Sequence, residues 1–285
     1  MERSQQWARD LLRTWPVLPQ ALRTMSSLDP GGADAFEWAR KRADSDPSFA
    51  ARLLFLANSA AMGSRRSVNT TAQALLRVGS LRAMELLLDQ SLNELAPMSP
   101  QAVRCWEESV QCAWLMRRLS QHVQGDAPEP QVAYLGGLLH DIGRLLLLAH
   151  ESRQREAGDP RPASETPAEE LARHGMDHAE LGALALRHWL VPEPLPLFVQ
   201  WHHAEPASTP QVGAGLRLLG LLRDARTLLR CHDAGPAPHD WPQASPTPYR
   251  NDPHTMRQVA RGALADARAN LSLLRLQMHP RMRTG

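Results

Sequence analysis

Apolar residues recur at spacings of three and four through 50–62, 72–88, 103–119, 132–149, 178–190 and 214–230. That is the period of an amphipathic helix, and the strict alternation of a half-buried strand is nearly absent. Breakers separate the runs: LDPGG at 28–32, LAPMSP at 95–100, GDPRPASETP at 158–167, and a stretch from Gly235 to Pro253 with six prolines. Beyond them, Met256, Ala260, Ala263, Ala267, Leu271, Leu274 and Met278 restore a helical stripe. The pattern predicts an all-α chain in two packed helical subdomains: an N-terminal half over 1–95 and a second half over 96–234. A Pro-rich linker over 235–253 and a C-terminal amphipathic helix and tail over 254–285 complete it.

Composition narrows the classes. The chain has 285 residues, 43% of them hydrophobic, enough for a sizeable core. Lys and Arg total 32 against 30 Asp and Glu, a net charge of +2 that predicts neither nucleic-acid wrapping nor a funnel for acidic substrates. Lys41 is the only lysine, and no Gly-rich loop follows a strand-like run, so P-loop, Schiff-base and Rossmann chemistry are excluded. The first fourteen residues carry charges throughout and no apolar run, unlike a secretory signal, so a cytoplasmic location is expected. The most apolar segment, YLGGLLHDIGRLLLLAH, is interrupted by His140, Asp141 and Arg144, so no membrane span is expected. Cys105 and Cys112 stand two helical turns apart, about 10 Å by helix rise, too far to bridge.

Within that segment His140 and Asp141 stand adjacent on an apolar run, where imidazole and carboxylate cost desolvation unless something compensates. Metal coordination would compensate; so would a backbone acceptor for His140 and a cap or an Arg144 pair for Asp141. Two more clusters follow: MDHAELG, with Asp177 and His178 before a helical run, and QWHHAEP, with His202 and His203 at a helix end. With Asp224 on the next helix they offer four imidazoles and two carboxylates on separate helices, the supply a buried binuclear site in a bundle core needs. His202 and His203 could instead answer the negative end of a helix dipole. Asn58 and Ser59, in the NSA motif at 58–60, end an apolar helix beside Arg65 and Arg66 and read as a helix stop or as a small binding surface.

The order HD, DHAELG, HH and a helical Asp resembles that of HD-superfamily phosphohydrolases. WPVLP at 15–19, DPSFAARLLFLANSA at 46–60, the run at 70–88, WEES at 106–109, GGLLHDIGRLLL at 136–147, HGMDHAELGALALRHW at 174–189 and VQWHH at 199–203 resemble the HDOD family, the HD-related output domain. The resemblance covers about residues 10 to 230. It implies a helical signalling module of bacterial regulators, usually without demonstrated hydrolase activity, that acts by binding other signalling proteins or a small nucleotide ligand and keeps a degenerate HD site; the charge balance and the interrupted apolar run leave nucleic acid and membrane not expected. The alternative is a metal-dependent phosphohydrolase acting on a nucleotide or cyclic dinucleotide. The implied metal ligands are His140, Asp141, His178, His202, His203 and Asp224, with Mn, Fe, Zn or Mg as the ion, and His140, Asp141 and Arg144 as candidates for chemistry. Three departures stand out: Glu108 where the first histidine is expected, Arg144 where a lysine follows HDxG, and no GYP triplet after His203. Glu108 could bind a metal through oxygen. Arg144 is a planar fork in place of a point charge.

Overall fold

A computed structural model describes residues 2–13, 33–45, 47–58, 68–95, 99–154, 166–204, 213–233, 249 and 252–282. The described helices are α1 (Glu2–Arg13), α2 (Ala33–Ser45), α3 (Pro47–Asn58), α4 (Thr71–Val78), α5 (Ser80–Leu95), α6 (Pro100–Ser120), α7 (Pro130–Leu139), α8 (Ile142–Gln154), α9 (Pro167–His174), α10 (His178–His188), α11 (Leu195–Trp201), α12 (Gly213–Asp233) and α13 (Pro253–Met282). Among the described residues the only strand-like pairing is a single bridge between Val123 and Tyr249. The all-α expectation therefore holds.

Two runs that read as continuous helices are each broken. The 72–88 run splits at Gly79, whose φ of +83° suits glycine and whose N–H closes α4 on Leu75 O at 2.8 Å. The 132–149 run splits at His140 and Asp141, which form the turn between α7 and α8.

The chain divides into two compact units. The smaller comprises Trp15–Glu94 with Ala269–Gly285. Among the described residues its apolar core comprises Ala39 and Ala43 of α2, Phe49, Leu53, Leu56 and Ala57 of α3, Ala74 and Leu75 of α4, and Ala83, Leu86 and Leu87 of α5, with the buried Glu85 carboxylate paired to Arg82 at 2.9 Å. The α3 residues fall at i, i+4, i+7 and i+8, one helical face. Thr70 caps α4 by accepting from Gln73 N, and Arg77 donates to Ala57 O at the end of α3.

The larger unit comprises Met1–Thr14 and Leu95–Arg268. This differs in two places from the boundaries expected at 95, 234 and 253. Residues 2–13 group with the second half, because Ala8, Leu11 and Leu12 are buried and Trp7 packs on His150 and His174. The first part of α13 groups there too, through buried Met256, Ala260, Ala263 and Ala267 and an Arg118–Asp266 ion pair at 2.7 Å. Of the linker, Tyr249 and residues 252–253 are described; the rest lies outside the described residues.

The long helix α6, capped by Ser99 with Pro100 in its first turn, packs along α7. At their crossing a Cβ on Gly137 would overlap the backbone of Ala113. Gly143 plays the same part between α8 and α10, where a Cβ would overlap the carbonyl of His178 and the amide of Gly182. These two glycines let helices approach backbone to backbone. The most apolar eighteen residues of Pro130–Arg153 reach a mean hydropathy of 1.4, yet 89% of them are buried within the fold, so core packing accounts for their apolar character.

Candidate metal centre

Helix ends build the site. His140 follows the last residue of α7, and its Nδ1 lies 2.7 Å from Gly137 O. His202 follows the last residue of α11, with Nδ1 2.6 Å from Val199 O. Carbonyls in a last helical turn lack intrahelical donors, and a carbonyl can only accept, so both rings carry their proton on Nδ1. His178 opens α10 behind the cap Asp177, and its Nδ1 meets Glu170 Oε2 at 2.6 Å while its backbone N–H donates to the same oxygen at 2.9 Å. The carboxylate likewise claims the Nδ1 proton.

Three Nε2 lone pairs are thereby turned toward one carboxylate. His202 Nε2 lies 3.2 Å and His178 Nε2 3.4 Å from Asp141 Oδ1, and His140 Nε2 lies 3.3 Å from Oδ2. His203 Nε2 faces His178 Nε2 at 2.6 Å. His140 Nε2 is buried with no hydrogen-bond partner. Acceptor meets acceptor throughout, an arrangement that a cation or added protons must satisfy. One ligand atom from each of Asp141, His178, His202 and His203 lies within 4.8 Å of the others, so the donor set fits a divalent ion.

Electrostatics follow from that crowding. Burial opposes ionisation of Asp141, but His140, His178 and His202 outweigh it and hold the carboxyl well below the usual range. Burial would lower His178, yet Asp141 and Glu170 together raise it to about 9. His203 is pushed down to about 3 by burial and by its histidine neighbours, and burial also lowers His202. A proton on His178 Nε2 is thus the competitor of a metal.

A pocket of about 420 Å³ opens on the cluster. Glu108 and Arg144 both line it, with Arg104 from α6 and Arg226 from α12. Burial, then Asp141, raises the Glu108 carboxyl. Arg144 Nη1 lies 4.0 Å from Glu170 Oε1 and Arg226 Nη2 3.5 Å from Asp141 Oδ2.

Asp224 does not join this group. Its buried carboxylate accepts the Tyr249 hydroxyl at 2.7 Å, while Gln124 donates to Tyr249 O at 2.9 Å. Asp224 anchors the segment that leads into α13. Asn58 holds Val68 by two hydrogen bonds of 2.8 Å, one to its carbonyl and one from its amide, and so fastens the end of α3. Ser59, Arg65 and Arg66 lie outside the described residues. Reading the sequence missed Glu170, Arg104 and Arg226. Arg104 had a signal, standing four residues before Glu108 and so on the same helical face.

The HDOD domain model matches residues 32–205, more than half of the chain. The chain belongs to the HDOD family. Three solved structures share the fold over most of its length. An HDOD domain protein with unknown function from Geobacter sulfurreducens is 18% identical, with a TM-score of 0.60 over 97% of this chain and 95% of that one. A protein of Shewanella amazonensis SB2B named "Putative phosphohydrolase" is 22% identical, at 0.59 over 97% and 94%. A "Putative signal transduction protein" from Marinobacter aquaeolei VT8 is 19% identical, at 0.61 over 96% and 64%. In sequence, an uncharacterized protein of Treponema pallidum (strain Nichols) is 25% identical over 170 residues, 56% of this chain and 32% of that protein. The chain thus spans about a third of the length of that curated relative.

Proposed function

We propose that this HDOD chain is a signal-transduction module that acts by binding a small ligand or another signalling protein, with a divalent metal held at its HD centre. One observation carries the metal: the Nδ1 protons of His178 and His202 are spent on acceptors, which leaves their Nε2 lone pairs facing the Asp141 carboxylate and His203 Nε2. Asp141, His178, His202 and His203 would hold the ion. Three imidazoles to one carboxylate suit Zn or Fe better than Mg. The ion would supply positive charge for an anionic ligand in the pocket. Glu170 orients His178, and the carbonyls of Gly137 and Val199 orient His140 and His202.

A second reading, metal-dependent phosphohydrolysis, has one observation in its favour. Glu108, its carboxyl raised by burial and by Asp141, is a pocket group able to carry a proton. Metal analysis of the purified chain for Mn, Fe, Zn and Mg, followed by assays with cyclic dinucleotides and model phosphodiesters, separates the two. The binding module retains metal, loses it in Asp141→Ala and shows no turnover. Turnover abolished by both Asp141→Ala and Glu108→Gln establishes the hydrolase instead. A chain that takes up no metal contradicts both.

A further inference from the structure

The two oxygens of Asp141 keep different company. Oδ1 faces His202 and His178, with His203 beyond, whereas Oδ2 faces His140 at 3.3 Å and the guanidinium of Arg226 at 3.5 Å. We propose that Arg226 stands in for a second cation, so that the centre takes a single ion on the Oδ1 side, and that Arg226, Arg104 and Arg144 make the pocket a receptor for the phosphoryl group of a small ligand. This rests on the metal reading above and specifies what the site recognises.

The charge inventory supports it. The pocket wall carries three guanidiniums against the carboxyl groups of Glu108 and Asp141, with Glu170 4.0 Å from Arg144, so one divalent ion would leave the site with a positive surplus. A second ion at Oδ2 would meet a fixed cation already there, whereas a dianion would relieve the excess. The arginines also come from different helices: Arg104 from α6, one turn before Glu108, Arg144 from α8, one turn after Asp141, and Arg226 from α12. Their planar forks match the paired oxygens of a phosphoryl group. A cavity of about 420 Å³ admits a small phosphorylated molecule and no folded partner. The Arg226 contact follows from its place on α12. Asp224, two residues earlier and about 200° away around the helix, turns instead to Tyr249.

The test is calorimetry on the full chain with Mn²⁺ as the metal probe and inorganic phosphate as the anion probe. Phosphate is titrated onto Mn²⁺-loaded and EDTA-stripped protein, with acetate as a monoanion control. Wild type should bind one Mn²⁺ per chain, and phosphate at least tenfold more tightly when loaded than when stripped. Arg226→Gln should weaken phosphate at least tenfold and Arg226→Lys less. Arg104→Ala, at an exposed position, should weaken phosphate and leave Mn²⁺ affinity unchanged. Two Mn²⁺ per wild-type chain, or phosphate binding that Arg226→Gln and Arg104→Ala leave untouched, overturns the proposal. Failure of both Mn²⁺ and Zn²⁺ to bind overturns the metal reading beneath it, and phosphate binding by the stripped chain then decides the arginine receptor on its own.

Discussion

The larger unit contains two histidine clusters, each beside a buried carboxylate, and they differ in how donors and acceptors are matched. In one, the Trp7 indole N–H faces His150 Nε2 at 3.4 Å, Trp7 stacks on His174 with planes 14° apart, and His174 Nε2 and Arg173 both meet Glu151 Oε1 at 3.0 Å. Protein groups answer one another there, and the cluster fastens α1. In the other, His140, His178 and His202 spend their Nδ1 protons on acceptors and turn lone pairs toward Asp141. Histidine density does not distinguish a ligand set from a packing cluster; the bookkeeping of protons does.

The metal cluster depends most on Gly143, which lets α8 meet the backbone of α10 and so sets His178 beside Asp141. Backbone atoms cannot yield as a side-chain tip does, so Gly143→Ala should cost about 3 kcal/mol in urea unfolding and abolish metal binding. Gly262→Ala, on an exposed face of α13 with open space around it, should instead gain up to about 1 kcal/mol.

Exchanging the clusters in a mutational test comes next. Loss of an outer-shell partner costs about 10–100-fold in metal affinity, and loss of a ligand at least as much, so His202→Ala should weaken metal by about 100-fold or more in a competition titration. His150→Ala should leave metal affinity unchanged and lower stability by about 1 kcal/mol.

Acid and base then act on the clusters differently. His202 and His203 are held below 6.5, so their contribution to stability is complete above pH 6.5 and is lost as pH falls toward about 3. His150, lowered by burial and by His174, adds to the same acid loss. His178, raised to about 9, contributes fully below pH 6.5 and loses that contribution as pH rises through about 9. Metal displaces the His178 proton, so affinity should rise about tenfold per pH unit below 9. Urea unfolding with and without EDTA should show an alkaline loss in stripped protein that disappears on loading, while the His150 share of the acid loss persists in both.

The motif order along the chain made the family legible and named Asp141, His178, His202 and His203, which the fold brings within 4.8 Å of one another; HD and HH each follow the last residue of a helix and DHAELG opens one. Asp224 was misplaced because a carboxylate on a helix does not disclose its face: Arg226, about 200° around, is the one turned to Asp141. Glu170 carried no signal, for its link to His178 spans the turn at Gly175, and its local setting reads only as the capping box of Thr166 and Glu169. The breaks at His140 and Gly79 were both hidden by apolar spacing that runs through them, although a lone glycine late in a helical run is itself a stop signal.

The smallest effect belongs to the smaller unit, where Asn58 fastens Val68 without any titratable group. Asn58→Ala should cost about 1–2 kcal/mol, the worth of two hydrogen bonds, and leave metal affinity as it is.

X-ray absorption of the Zn²⁺-loaded chain reads the ligand set of the ion itself. The spectrum should show one ion with imidazole scattering from about three histidines and one oxygen ligand, reduced by one imidazole in His202→Ala and unchanged in His150→Ala. An ion whose spectrum ignores His202→Ala and Asp141→Ala, or a chain that takes up no zinc, would contradict that ligand set.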